Sequence, residues 1–150
     1  MADDAIVAVA DGTLIGPADI KDEMFAAETM GQTIAVEPSS GIIVAPANGA
    51  LEMVFDTGHA FAVRMKDGTG LLVHIGVDTV NMKGEGFTVL KQQGDEVKAG
   101  EPVVKVDLDA VKAAGYSTQT MLVVTEPAEE GKAISYIDFG PVTAGKIITK

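Results

Sequence analysis

The chain has 150 residues, no cysteine, and a formal charge of −11 with only 11 Lys and Arg. A chain of this length can bury roughly 70% of its unfolded surface in one core, so one domain spanning residues 1–150 is expected; disulfides, thiolate metal sites and a cysteine nucleophile are excluded. The charge repels a phosphate backbone, which argues against nucleic acid and for basic protein partners, although it serves plain solubility equally well.

The amino end, Met1-Ala2-Asp3-Asp4, has no basic region, and no apolar run approaches the roughly 18 residues of a membrane span, so neither export nor insertion is expected. With no cysteine, the expected compartment is the cytoplasm. Short β-branched runs follow at Ile6-Val7-Ala8-Val9, Thr33-Ile34-Ala35-Val36, Ile42-Ile43-Val44 and Leu71-Leu72-Val73. Their length and composition predict strands. Turn signals separate the runs at Asp11-Gly12, Ser39-Ser40-Gly41, Asn48-Gly49, Asp67-Gly68, Gly94-Asp95 and Lys98-Ala99-Gly100. Two brief helices are predicted, at Asp22–Ala26 behind acidic residues and at Asp109–Ala114, stopped by Gly115. Beyond Glu129-Glu130-Gly131-Lys132, a strand pair of Ala133–Ile137 with Lys146–Ile148 is expected. The glycine turns around Gly49–Val54 and Gly94–Val104 echo one another, a weak hint of duplication. Many short strands at these intervals predict an all-β chain, an antiparallel sandwich or barrel.

The chemistry concentrates on the two histidines, His59 and His74, which flank the turn Lys66-Asp67-Gly68-Thr69-Gly70. If Asp67-Gly68 is a two-residue loop, Lys66 pairs with Thr69, His59 lies opposite Gly76, and the two imidazoles share a face as diagonal neighbours. A four-residue loop closed by Lys66 and Leu71 keeps them on one face, further apart. A lone histidine in an apolar strand is more often a satisfied core residue. Two on one face suit transfer of a group between nitrogens, and suit metal binding equally well. Thr57 faces the same way if the strand runs on through Gly58, and its hydroxyl could then fix a ring tautomer. Phe25, Met30, Phe55, Leu72 and Val80 are candidates for an exposed apolar collar, with burial in the core as the alternative for each. Asp22 and Asp78 could meet a basic partner at the rim, or be solvated turn residues.

The segments Gly58-His59-Ala60-Phe61, Val73-His74-Ile75-Gly76-Val77-Asp78-Thr79-Val80 and Lys83-Gly84-Glu85-Gly86-Phe87 closely resemble enzyme IIA of the glucose class of the bacterial sugar phosphotransferase system. Val44-Ala45-Pro46-Ala47-Asn48-Gly49 and Phe25 through Gly31 extend the resemblance, which runs from about Gly12 to Glu126. It implies an antiparallel β-sandwich of duplicated hybrid type. It implies that His74 is phosphorylated on Nε2, that His59 hydrogen-bonds the phosphoryl group, and that Thr57 orients the pair. Asp78 is implied at the partner-binding rim, and Phe25, Met30, Phe55, Leu72 and Val80 on the docking surface. The implied partners are the histidine-containing phosphocarrier protein as donor and the IIB domain of a sugar permease as acceptor, with regulatory targets a further class. No cofactor is obligate beyond the covalent phosphate on His74; a weak intermolecular zinc site on His59 and His74 is also implied. The acidic amino end departs from members whose extension aids membrane association.

Two rivals are weaker. A zinc metallopeptidase of similar β architecture would use His59, His74 and Asp78, but Leu72 stands where an H-x-H pair needs a histidine. A biotinyl or lipoyl carrier needs a lysine in a characteristic turn, and neither Met65-Lys66-Asp67 nor Met82-Lys83-Gly84 matches one. No phosphate-binding G-x-x-x-x-G-K-[ST] loop occurs, consistent with a reaction that uses no nucleotide.

Overall fold

Residues 5–129, 131 and 133–149 are described by a computed structural model. The acidic start at positions 1–4, with Glu130 and Lys132 of the carboxyl-terminal stretch, lies outside them. The strands are β1 (Gly12–Ile15), β2 (Gln32–Pro38), β3 (Ile42–Val44), β4 (Gly49–Val54), β5 (Ala60–Arg64), β6 (Gly70–Ile75), β7 (Phe87–Val89), β8 (Glu96–Val97), β9 (Pro102–Val106), β10 (Thr120–Glu126) and β11 (Gly140–Val142). They form an eight-stranded antiparallel sheet in the order β11-β1-β2-β10-β6-β5-β4-β8 and a three-stranded sheet in the order β3-β9-β7. The barrel alternative gives way to packed open sheets.

Period-two alternation decides which side chains meet. Ile34, Val36, Phe61, Val63, Leu71, Val73, Ile75, Leu122 and Val124 point to one face of the large sheet and pack with Ile43, Val103, Val104 and Val106 of the small one. Each such side chain contributes about 1.5–3 kcal/mol by leaving water, so this shared layer holds the sandwich together. Ala35, Ala60, Leu72, Met121 and Val123 point to the opposite face, which is covered by Ile20 and Phe25. Those two residues belong to the connection between β1 and β2, a 3₁₀ turn at Pro17–Asp19 followed by α1 (Glu23–Ala26). Asp22 starts α1 by accepting from the amides of Met24 at 2.9 Å and Phe25 at 3.3 Å. The second helix, α2 (Leu108–Ala113), is capped by Asp107 and stops at Gly115, whose φ is +90°. No helix among the described residues is long and apolar enough to cross a membrane.

Three expectations need correcting. Ile6–Val9 is buried but joins no ladder. Val7 donates to Pro46, Ala8 donates to Lys146 and Val9 accepts from Val44, each at 2.8 Å, so the segment threads between two loops instead of lying along one strand. At the carboxyl end the two expected stretches do meet, through the Tyr136–Thr149 bridge and Ile137 N donating to Ile148 O at 2.8 Å, but they form no strand pair; Ile147 bridges Val7, and the ladder strand is β11, which pairs with β1. The hairpin between β5 and β6 has three loop residues, Lys66-Asp67-Gly68. Met65 donates to Thr69 O at 2.8 Å, and the Asp67 carboxylate accepts from the Thr69 amide at 2.9 Å. The register is therefore Arg64 opposite Gly70 and Ala60 opposite His74, one residue away from the two-residue alternative.

The glycine echo acquires a location: Gly49 pairs with Val97 and Ala50 with Glu96, and Asn48 Oδ1 accepts from the Ala99 amide at 2.8 Å. Gly58 matters more for the site. Its φ is +76°, and a β-carbon there would stand 3.0 Å from Phe87 Cβ and 3.2 Å from Val89 Cγ2. Gly94, with φ +97°, has nothing within 4 Å. In urea titrations Gly58→Ala is expected to lose about 1–3 kcal/mol through strain and crowding together, and Gly94→Ala about 1 kcal/mol through strain alone; equal losses would show that the approach of β7 is not constraining.

Candidate functional site

His74 sits near the end of β6, opposite Ala60 on β5 and Met121 on β10, and alternation turns its ring toward the face covered by α1. Phe25 packs over it, ring centroids 5.0 Å apart. Nδ1 of His74 lies 2.8 Å from Gly76 O. A carbonyl only accepts, so Nδ1 carries the proton and Nε2 keeps its lone pair. The turn that aims this carbonyl is fixed twice over. Gly76 has φ +79°, and a β-carbon there would meet Thr79 Cγ2 at 2.3 Å. Thr79 Oγ1 in turn donates to Ile75 O at 2.5 Å.

His59 reaches the same place by a different route. With Ala60 opposite His74, strict alternation would send His59 to the other face, so the hairpin register expected from the sequence is not what joins the rings. His59 precedes β5 and follows a turn at Asp56–Gly58 that breaks the alternation, and its carbonyl accepts from Ile75 N at 2.7 Å. Its ring lies edge-on to His74 with centroids 5.3 Å apart, and edge-on to Phe55 at 5.0 Å. Thr57 also belongs to this turn and not to a continuous strand, yet its Oγ1 is 2.6 Å from His59 Nδ1. A β-carbon on Gly84, whose φ is +87°, would lie 3.5 Å from Thr57 Cα, and one on Gly58 would lie 3.0 Å from Phe87 Cβ, so the Gly84-Glu85-Gly86-Phe87 segment runs beside this turn.

The apolar candidates divide. Met30, Phe55 and Val80 are 40%, 39% and 50% exposed, whereas Phe25 and Leu72 are only 3% and 8% exposed. The last two are core residues of the covered face, not members of an exposed collar; Phe25 still touches the site through the His74 ring. Asp22 is the α1 cap. Asp78 is exposed at φ +61° before the 3₁₀ turn Thr79–Met82, which presents Val80. Gly76 was not singled out in the sequence, because a carbonyl acceptor has no side-chain signature.

Electrostatics favour neutral rings. Burial pushes the His74 pKa below its ordinary value, opposed by the bond to Gly76 and the charges of Asp22 and Asp78. Burial also lowers His59, and a charge on His74 would lower it further. Among the described residues no group of three or more His, Asp or Glu could hold a metal ion, so the metallopeptidase ligand set is not assembled. The pair instead offers one nucleophilic nitrogen beside a second ring able to hydrogen-bond what that nitrogen acquires.

Residues 4–130 match the family model described as phosphoenolpyruvate-dependent sugar phosphotransferase system, EIIA 1. The chain is 44% identical over 123 residues to the glucose-specific EIIA component of Halalkalibacterium halodurans, covering 82% of this chain and 71% of that protein. It is 39% identical over 145 residues to the glucose-specific EIICBA component of Streptococcus pneumoniae, covering 97% of this chain but 20% of that longer protein. The glucose permease IIA of Mycoplasma capricolum superposes with a TM-score of 0.90 at 34% identity, over 97% of this chain and 93% of that one.

The two lowered pKa values give a signed expectation. Between the ordinary imidazole value, about 6.5, and the depressed folded values, the unfolded chain binds more protons, so stability is full above about pH 6.5 and falls as pH drops below it. Nuclear magnetic resonance titration should find both midpoints below 6.5. His74→Ala should move the His59 midpoint up, and Asp78→Asn should move that of His74 further down. A His74 midpoint above the ordinary value would contradict the buried neutral ring.

Proposed function

The chain belongs to the glucose-class enzyme IIA family of the sugar phosphotransferase system, and from that premise we propose that it carries a phosphoryl group on His74 Nε2 between two protein partners. The observation that supports this most is the Nδ1 contact of His74 with Gly76 O, 2.8 Å, which leaves Nε2 as the free nucleophile. The donor is the histidine-containing phosphocarrier protein. In an in-line displacement the His74 Nε2–P bond forms as the donor's N–P bond breaks, and the positive charge gained by the His74 ring remains as the Nδ1 proton facing Gly76 O. Asp22 and Asp78, whose charges favour a positive ring, reinforce it.

His59 supplies the hydrogen bond to the phosphoryl oxygens. Thr57 donates into His59 Nδ1, so the ring's proton sits on Nε2, toward the group being transferred. Met30, Phe55 and Val80 form the surface on which a partner docks and excludes water. In the second step an acceptor thiolate on the IIB domain of a sugar permease forms an S–P bond as the N–P bond breaks, returning His74 to its neutral Nδ1–H form. Relatives with the EIICBA name join such a domain to permease domains in one chain, which supports this acceptor class and a cytoplasmic location. A zinc ion shared with a partner's carboxylate would take His74 Nε2 as it stands, and His59 Nε2 once its ring proton moves to Nδ1, where Thr57 Oγ1 can accept it.

Incubation with phosphoenolpyruvate, enzyme I and the phosphocarrier protein should add one phosphate by intact mass, acid-labile and alkali-stable. His74→Ala should abolish the label. His59→Gln should load but pass the phosphate on about 10²-fold more slowly, the cost of losing one transition-state hydrogen bond. Label retained in His74→Ala would refute the assignment.

A further inference from the structure

The His74 ring is bounded on two sides, by the Gly76 carbonyl and by the Phe25 ring. These two walls come from different parts of the chain, and one residue touches the support of each. Gln119 is a buried polar side chain immediately before β10. Its main-chain oxygen accepts from Gly76 N at 2.9 Å. Its side-chain Oε1 accepts from Lys21 N at 2.8 Å, and its Nε2 donates to Asp19 O, also at 2.8 Å.

The second pair of bonds has no equivalent elsewhere in the segment. The β1 ladder ends at Ile15 and the β2 ladder begins at Gln32. Between them, the backbone bonds of residues 17–31 are local: turn and helix bonds, such as Ile20 to Pro17, Ala26 to Asp22 and Gly31 to Glu28. Among the described residues, the hydrogen bonds that tie residues 17–30 to a distant part of the chain are the two to the Gln119 amide. Otherwise this stretch is held by the apolar contacts of Ile20 and Phe25, which are non-directional and allow sliding. A buried amide with both ends used fixes a position that apolar packing leaves loose.

We propose that Gln119 is a positioning residue for phosphoryl transfer: its side-chain amide pins the Lys21 end of the α1 segment, and so sets the distance of the Phe25 ring, and of the Asp22 charge, from His74. The idea rests on His74 being the phosphoryl acceptor. Without the pin, Phe25 can draw back, water reaches the ring, and the in-line approach of Nε2 loses its fixed wall. The Gly76 bond survives, because it uses the Gln119 main chain and not its side chain. The expected defect is therefore in ring placement, with the tautomer intact.

The test compares Gln119→Leu with Gln32→Leu. The Gln32 amide also makes two backbone bonds, accepting from Ile134 N at 2.7 Å and donating to Ile134 O at 2.6 Å, but it ties β2 to the carboxyl-terminal stretch. The two variants lose comparable bonds, and only one of them ties down the segment that carries Phe25. With the phosphocarrier protein as donor, Gln119→Leu should lose about tenfold to 10²-fold in kcat/KM, carried by kcat. Its His74 titration midpoint should rise toward 6.5 as the ring is rehydrated, with Nδ1 still protonated in nitrogen-15 spectra. Gln32→Leu should leave kcat and the midpoint unchanged. Should Gln119→Leu fail to fold, Lys21→Pro removes the same bond from its other end; Ile20 already has the extended ψ of 128° that a following proline requires, and the same midpoint rise is expected. Wild-type kcat and midpoint in Gln119→Leu, or equal losses in Gln32→Leu, would overturn the proposal. A wild-type chain that loads phosphate elsewhere than His74 would overturn the phosphoryl-carrier assignment instead, and the titrations would still decide whether Gln119 places the ring.

Discussion

The Gly76 carbonyl takes the proton side of the His74 ring and leaves the opposite nitrogen bare, and this geometric constraint governs the rest of the site. It demands a chain reversal directly after β6, tight enough that only a residue without a side chain fits, since a β-carbon on Gly76 would overlap Thr79 and approach Ser117 O at 2.9 Å. It also demands that β6 be central, because an edge strand would not hold its end still. Pairing with both β5 and β10 supplies that rigidity. The sandwich is thus a means of holding one oxygen atom steady against one ring.

The two imidazoles show how a polar pair can sit in a largely apolar setting. Each has its Nδ1 occupied, by Gly76 O or by Thr57 Oγ1, so what remains for chemistry is one nitrogen per ring, on a His59 side chain that is itself buried. Burial keeps both rings uncharged, which is the form a nucleophile needs, while Asp22 and Asp78 stand close enough to moderate the effect. With a net charge of −11, the chain has little positive charge of its own to offer a phosphoryl group. Complementary charge has to arrive with whatever docks.

Much of the fold was legible because strands buried on both faces leave short continuous apolar runs. The runs at Thr33–Val36, Ile42–Val44 and Leu71–Val73 fall within β2, β3 and β6, the acidic residue Asp22 marks the start of the first helix, and Gly115 marks the end of the second. The failures have separate causes. Ile6–Val9 is as apolar as any strand, but its amides bond to two different parts of the chain, at Pro46 and Lys146, a fact about distant residues that local composition does not carry. The hairpin register turned on whether Lys66 joins the loop, and the Asp67 carboxylate bond to Thr69 settled it. The histidine pair was anticipated for the wrong reason: its rings meet because a turn interrupts alternation, not because alternation runs through. Phe25 and Leu72 read as collar residues because exposure on a covered sheet face depends on what the connection between β1 and β2 lies upon.

The positive-φ residues other than glycine, among those described, are Glu28, Asp78 and Lys83. Each lies within three residues of an exposed apolar side chain of the proposed docking surface, Met30 or Val80. A side chain in that conformation costs on the order of 1 kcal/mol, and glycine at any of the three would recover part of it. The rim thus gives up stability for stiffness: backbones that would relax under glycine are kept taut, so the greasy knobs they carry are held at a defined height before any visitor arrives.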